Sequence, residues 1–297
     1  MRWTTPDDWW RRLQRSTSRS RSIGLSRPSV LRLTDPLSRR RSATARALGR
    51  LGRDDEQLLA AQESVDTWRE LVVERPGAFA AELAAALGRL ALARRALGMG
   101  REGLEADEEA VDLWRGLLAR APDVHLATRG LAWALRGLGS GLRAVGQGED
   151  ALAASQEAVS LLEGLADAEP EAFGPDLAEA LYDLSTSLAL QDRWQRSQAA
   201  IDEAVALYEH LAATRPDRFM TALEEAIEVR SLVREAIASS AALTEEAGDA
   251  ALVRGLFGQD QTTLDTRAQE FLDERYRIRR ALGDDAAGEG QESRDER

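Results

Sequence analysis

Four prolines divide the middle of the chain into units of nearly equal length. The intervals between them are 46, 48 and 46 residues, and the prolines are Pro76, Pro122, Pro170 and Pro216. A valine lies eleven residues before each proline, and a leucine lies six residues after each valine. A spacing that is kept over four copies predicts a repeat array, in which each unit is one supersecondary element packed on its neighbours.

The residues before each proline follow helical periodicity. The valines are Val65, Val111, Val159 and Val205, and three residues after them lie the large side chains of Trp68, Trp114, Leu162 and Tyr208. Offsets of 0, 3, 6 and 7 share one face of a helix, which predicts a buried stripe.

A second constant feature places another helix in each unit. The leucine of an Ala-Leu pair precedes three of the valines by 24 residues, and the pairs are Ala86-Leu87, Ala134-Leu135 and Ala180-Leu181. The sequence therefore predicts two helices in each unit. The first helix runs from the proline to a turn near Gly98, Gly146 or Asp192. The second helix runs from that turn to the next proline, which cannot continue a helix.

This pattern resembles the tetratricopeptide repeat family. The third unit carries the family spacing best, with Leu138-Gly139, Leu142, Gly146, Ala151, Ser155 and Ala158. The period is longer than the family's usual length of about 34 residues and is similar to long-repeat bacterial variants of actinobacterial type. The resemblance implies an all-α fold, namely an α-solenoid of antiparallel helix pairs wound into a superhelix.

Charge and composition distinguish the two ends of the chain. Residues 1–53 contain 14 arginines and three acidic residues, whereas the chain as a whole has a net charge of −12. We expect residues 1–37 to form a disordered Arg/Ser-rich arm, which is either a genuine appendage or the product of an incorrectly placed start. Residues 38–282 are expected to form the repeat domain, closed by a polar capping helix over 261–282, and residues 283–297 a disordered acidic tail.

Missing residue types exclude several kinds of catalysis. The chain contains no cysteine, no lysine, no asparagine and only two histidines. Thiolate metal sites, cysteine nucleophiles, phosphate-loop lysines and Schiff bases are therefore excluded. We expect no catalytic residue, no metal site and no cofactor, and we predict that the protein is not an enzyme.

The two histidines are predicted to be structural or solvated. His125 lies three residues after Pro122, where the other units have Phe79, Phe173 and Phe219. It is therefore predicted to pack like those rings. His210 occupies a position that varies in the other units, so it is expected to face water.

The resemblance implies a binding groove lined by the first helix of each unit. When the units are aligned on Leu90, Leu138 and Leu184, the groove positions are Arg89, Arg95, Trp133, Arg136, Ser140, Arg143, Tyr182 and Thr186. Arginine binds carboxylates through two parallel hydrogen bonds, so an acidic peptide or protein suits this set. The alternative is that these arginines pair with acidic residues of the neighbouring helices.

The sequence thus favours a cytoplasmic protein-interaction scaffold or adaptor that binds a peptide or protein partner in its concave groove. The alternative is association with nucleic acid or an anionic surface through the basic arm, where Trp3, Trp9 and Trp10 add aromatic faces. No segment has the roughly 18 apolar residues of a membrane span, and no apolar signal segment follows Met1.

The repeat register can be tested by substitution. Ala158 is assigned to a position where two helices approach closely, so Ala158→Trp should overpack the interior and lower the free energy of unfolding by about 1–3 kcal/mol or more. His125→Phe places the residue of the other three units at its position and should cost much less. Thermal melts that rank the two variants in the opposite order would show that the register is wrong.

Overall fold

The computed structural model of the chain describes residues 53–120 and 124–257 and the single residue Arg277, apart from the side chains of residues 76, 77 and 240–257. The expected arm over residues 1–37 and the acidic tail over 283–297 lie outside the described residues. So does the expected capping helix over 261–282, except for Arg277.

The described residues form eight α-helices and no strand. The helices are α1 (Asp54–Glu74), α2 (Pro76–Ala96), α3 (Gly100–Leu118), α4 (Val124–Ala144), α5 (Gly148–Ala168), α6 (Pro170–Leu190), α7 (Trp194–Thr214) and α8 (Pro216–Phe257). The predicted pairing of two helices per proline-bounded unit is confirmed from α2 to α7. The helix α8 has 42 residues and is about twice as long as the other helices of the described part.

The boundaries of the helices follow from local backbone chemistry. Proline occupies the first turn of α2 and of α6, where its missing N–H costs no intrahelical hydrogen bond. The turns between the two helices of a unit each contain a residue with positive φ, namely Gly98 at 73°, Gly146 at 74° and Asp192 at 57°. Glycine adopts this left-handed conformation without a steric penalty, which explains why the sequence places breakers at these turns.

The predicted apolar stripes are buried at their valines and at the large residues that follow, whereas the stripe leucines Leu117 and Leu211 are half-buried. Val65, Val111, Val159 and Val205 are buried, as are the large residues one turn after them, Trp68, Trp114, Leu162 and Tyr208. The ring of Trp68 lies 5.7 Å from that of Phe79, which joins α1 to α2. Ala158 has no exposed surface, as its assigned position requires.

One packing prediction is wrong. Phe173 and Phe219 are buried, but His125 at the equivalent position is exposed. Its neighbours Val124 and Leu126 are exposed as well, so the first turn of α4 projects into solvent instead of packing. His210 faces water, as predicted.

The chain separates into two compact units. Of the described residues, those within 53–145 and 160–165 belong to unit 1, and those within 146–159 and 166–257 belong to unit 2. In unit 1, each helix from α1 to α4 packs on the next, and α2 also contacts α4 directly. In unit 2, α6 packs on α7 and α7 on α8, while Leu152, Leu188 and Ala200 join α5, α6 and α7. The described chain is therefore an all-α array of antiparallel helix pairs, of the predicted α-solenoid class.

Two glycines of unit 1 test the turn geometry. Gly98→Ala should lower the free energy of unfolding by about 1–2 kcal/mol, because an L side chain is strained at a φ of 73°. Gly88 is the matched control, since it lies within α2 and a Cβ added there meets no atom within 4 Å. Gly88→Ala should instead raise the free energy of unfolding by about 0.5–1 kcal/mol. Urea denaturation of both variants measures the difference, and effects of equal sign would contradict the assignment of the turn.

Candidate functional site

Charge is segregated between two helix layers of unit 1. The basic layer, α2 and α4, contains six arginines and one glutamate, a net charge of +5. The acidic layer, α1 and α3, contains three arginines and thirteen acidic residues, a net charge of −10. Each described helix of unit 2 is also net negative. The basic layer is thus the one part of the described helices where an anionic partner meets net positive charge.

The exposed side of α4 carries a regular row of side chains. The residues recur at intervals of three and four, and we call them the outer stripe of α4: Leu126, Arg129, Trp133, Arg136, Ser140 and Arg143. Residues at these intervals lie on one helix face. The stripe includes four predicted groove residues, which are Trp133, Arg136, Ser140 and Arg143. The structure therefore brings these four residues together on one surface.

Trp133 is the most unusual residue of the stripe. It is 58% exposed, whereas Trp68, Trp114 and Trp194 are buried. Tryptophan usually buries its large apolar surface in the core, and an exposed tryptophan is characteristic of binding surfaces. Arg136 and Arg143, one and three turns further along, are half-buried. A long arginine side chain can pack its apolar stem on the protein while its charged end reaches solvent.

The two predicted arginines of α2 differ from those of α4. Arg89 is half-buried, with its Nε shielded from solvent. Arg95 forms a salt bridge with Asp107 of α3, and only 14% of its side chain is exposed. For Arg95, the structure therefore shows the alternative considered from the sequence, namely pairing with an acidic residue of the neighbouring helix.

The remaining predicted groove residues belong to unit 2. Tyr182 is half-buried on α6. Thr186 is buried, and its hydroxyl donates a hydrogen bond of 3.1 Å to the backbone carbonyl of Tyr182. This bond lies within α6, so the Thr186 hydroxyl serves its own helix in this structure.

Asp107 is a buried charged residue that the sequence analysis missed. It is 1% exposed, and its Oδ1 has no hydrogen-bond partner among the described residues. A Cβ on Gly137 would lie 2.8 Å from Oδ1, and one on Gly141 would lie 3.0 Å from Oδ2. These two glycines of α4 therefore make room for the carboxylate. The Gly-Leu-Gly-Ser-Gly run that contains them is the sequence signal that could have indicated a close approach.

The environment of Asp107 raises its pKa from 3.8 to about 6. Burial is the largest cause, because it penalises the charged form, while the positive charge and hydrogen bond of Arg95 act in the opposite direction. The Arg95–Asp107 pair thus joins α2 and α3 beneath α4. It contributes to the shape of the basic layer more than to its exposed charge.

The described polar core of unit 2 contains two pairs of neighbouring serine hydroxyls. The hydroxyls of Ser155 and Ser187 lie 3.0 Å apart, and those of Ser185 and Ser197 lie 2.9 Å apart. Ser155 and Ser187 also donate to backbone carbonyls of their own helices, whereas Ser197 of α7 donates to the backbone carbonyl of Ser185 on α6. Among the described residues, no group of three or more acidic or histidine side chains is arranged to hold a metal ion.

In the described part of the chain, no helix combines the length and the apolar character that crossing a membrane requires.

Comparisons with known proteins give similarities among solved structures alone. No family model matches the chain, and no curated protein matches it. Among solved structures, the chain is similar to the crystal structure of BtubC (BKLC) from P. vanneervenii, with 17% sequence identity and a TM-score of 0.45. The similarity covers 77% of this chain and 92% of that one.

The raised pKa of Asp107 predicts how pH affects stability. The unfolded carboxyl loses its proton near pH 4 and the folded one near pH 6, so the folded state binds the proton more tightly between these values. Stability from this group is therefore lost as the pH rises through that window, by roughly 3 kcal/mol in total. The free energy of unfolding of the wild type, relative to Asp107→Asn, should fall by this amount between pH 4 and pH 7.

Urea denaturation at several pH values measures this difference. Glu105→Gln, at an exposed position of α3, is the control and should show no comparable trend relative to the wild type. A wild-type advantage over Asp107→Asn that stays constant or grows with pH would contradict the prediction.

Proposed function

We propose that the chain is a protein-interaction scaffold whose basic layer binds an acidic protein or peptide. The observation that carries the proposal is the exposure of Trp133 between Arg129 and Arg136 on the outer stripe of α4. Tryptophan and arginine are the residues most enriched where protein interfaces have their largest binding energies. An apolar side chain of the partner would pack on the indole, and acidic groups would meet the flanking guanidinium groups.

The charge of the whole chain determines how such a partner is recognised. Because the net charge is −12, an acidic ligand is repelled at long range. Salt screens interactions between exposed charges beyond about 8 Å at physiological ionic strength. The repulsion by the whole chain and the attraction by the basic layer are therefore both short-range, and the basic layer attracts a partner only at contact. Charge-assisted hydrogen bonds contribute about 1.5–3 kcal/mol each when they exclude water, and much less when they stay solvated.

The proposal includes membership of a long-repeat tetratricopeptide family and a cytoplasmic location. The proline-bounded helix pairs support the first, and the absence of cysteine from the sequence supports the second. In this role the chain acts by holding partners, so any catalysis belongs to the proteins it binds. The alternative, binding of nucleic acid or an anionic surface through the arginine-rich arm, concerns residues outside the described part.

Substitution of the outer stripe tests the proposal. We expect Trp133→Ala, and separately Arg136→Ala with Arg143→Ala, to reduce capture of soluble partners from the source cells by at least about tenfold, because each variant removes a principal contact. The matched control is Arg101→Ala with Arg196→Ala, which changes two exposed arginines of α3 and α7. Quantitative mass spectrometry of the captured proteins provides the measurement.

Two results would contradict the proposal. One is a set of captured proteins that the Trp133 and Arg136/Arg143 variants leave unchanged. The other is loss of the same set on deletion of residues 1–44, with retention of that deleted chain on heparin abolished as well. The second result would assign binding to the arm.

A further inference from the structure

The solvent face of α1 carries a pattern complementary to that of α4. Glutamates recur every seven residues along it, at Glu56, Glu63 and Glu70, and all three are exposed. A second row, displaced by three residues, contains Leu59 and Val73, which are 62% and 44% exposed, with Asp66 between them. Large exposed aliphatic side chains beside an acidic row give this helix an amphipathic outer face that lies outside the core.

The outer stripe of α4 has the same two-row construction with opposite charge. Its arginines recur every seven residues, at Arg129, Arg136 and Arg143, and its second row contains Leu126, Trp133 and Ser140. Seven residues correspond to a rise of about 10.5 Å in any α-helix, so the charges of two adjacent helices stay level along the whole row. A seven-residue repeat on both surfaces is the pattern of helices that pack side by side.

The order of the rows determines the direction in which the two helices fit. On α1 the charged row comes three residues before its apolar row, as in Glu56 and Leu59. On α4 the charged row comes three residues after its apolar row, as in Arg129 and Leu126. Seen along the helix from its N-terminus, the apolar row therefore lies on one side of the charged row in α1 and on the other side in α4. When two such helices face each other in parallel, the glutamate row faces the arginine row and the two apolar rows face each other. In an antiparallel arrangement the arginines would face the apolar row of α1.

In the parallel arrangement, one register pairs the charged rows and the apolar rows wherever α1 and α4 lie side by side. With Glu56 opposite Arg129, the two further glutamates lie opposite the two further arginines. Leu59 lies level with Trp133, to within about one residue's rise of 1.5 Å. In the same register Asp66 lies level with Ser140, which can donate a hydrogen bond to it. A shift by seven residues would instead place Asp66 beside the Trp133 indole.

The parallel direction excludes contact within one molecule. Consecutive helices of unit 1 pack as antiparallel neighbours, so α1 and α4 of the same chain run in opposite directions. We propose that two copies of this chain associate, with α1 of one copy docked parallel to α4 of the other on its outer stripe. This inference rests on the proposed function, because it identifies an acidic partner surface for the same basic layer.

The contacts of Glu56 and Asp66 on α1 do not oppose this docking. Glu56 forms a salt bridge with Arg53, in which the two side chains are about half-exposed, and Gln62 donates a hydrogen bond of 3.1 Å to Asp66. Exposed interactions of this kind contribute little to stability. The Glu56 carboxylate can therefore exchange its partner for Arg129 of a second copy at small cost.

Charge reversal with mixing tests the proposal on the full chain. One triple variant, the acidic-row variant, carries Glu56→Arg, Glu63→Arg and Glu70→Arg. A second, the basic-row variant, carries Arg129→Glu, Arg136→Glu and Arg143→Glu. Sedimentation and light scattering should show concentration-dependent association of the wild type at low salt and a monomer for each variant alone. An equimolar mixture of the two variants should associate again, because each helix then meets an oppositely charged row.

The controls separate docking from folding. Glu163→Arg with Glu203→Arg and Glu209→Arg changes three exposed acidic residues of α5 and α7 by the same total charge and should leave association intact. Circular dichroism checks that each variant keeps its helix content. If a triple variant does not fold, Leu59→Glu, which places a charge beside the Trp133 indole, should weaken association of the full chain by at least about tenfold.

Three outcomes overturn the inference. They are a wild type that stays monomeric at every concentration, association that survives in both triple variants, and folded variants whose mixture does not associate. A monomeric wild type whose outer stripe still captures acidic partners overturns self-association but leaves the proposed function standing. Restored association in the mixture supports the inference even when no external partner is captured.

Discussion

Each helix of this chain has an apolar face that one helix pair alone cannot bury. The stripe of Val65, Trp68 and Leu71 on α1 is buried where α2 packs on it, and α2 in turn packs on α3. Burying these side chains contributes about 1.5–3 kcal/mol each, so the array is stabilised by contact between neighbours along the sequence. The regular proline spacing is the consequence, because every unit must present its stripe at the same distance to the next unit.

This packing also determines where charge can lie. Alternate helices fall into the same layer, since α2 contacts α4 directly. The arginines of α2 and α4 therefore share one layer, and the acidic residues of α1 and α3 share another. The layers are also joined by a buried ion pair: Arg95 pairs with Asp107 where Gly137 and Gly141 leave space. The raised pKa of that carboxyl shows that burial outweighs the attraction of its arginine.

The outer surfaces that remain are amphipathic in a regular way. Trp133 and Leu59 are large apolar residues that the core does not cover, and each lies beside a row of like charges. Exposed apolar side chains in register with charges are typical of surfaces that another helix covers. The proposed binding function and the proposed association of two copies both depend on this combination, and they differ in the source of the acidic face.

The repeat, the helix boundaries and most of the buried stripe positions could be predicted from the sequence. These features depend on local chemistry: proline begins a helix, glycine accepts the left-handed turn, and a 3.6-residue period selects one face. The sequence also placed Trp133, Arg136 and Arg143 on one side of α4, because their spacing alone fixes that face. The partners of buried charges and the exposure of helix ends depend instead on contacts between helices. Arg95 and Asp107 are twelve residues apart on different helices, and His125 was judged from its repeat position although the first turn of α4 projects into solvent. The partner of a charged side chain depends on which neighbouring helix lies close to it, and so does the exposure of a helix end. The periodicity of one helix does not contain the distance to its neighbours, so these features could not be predicted from it.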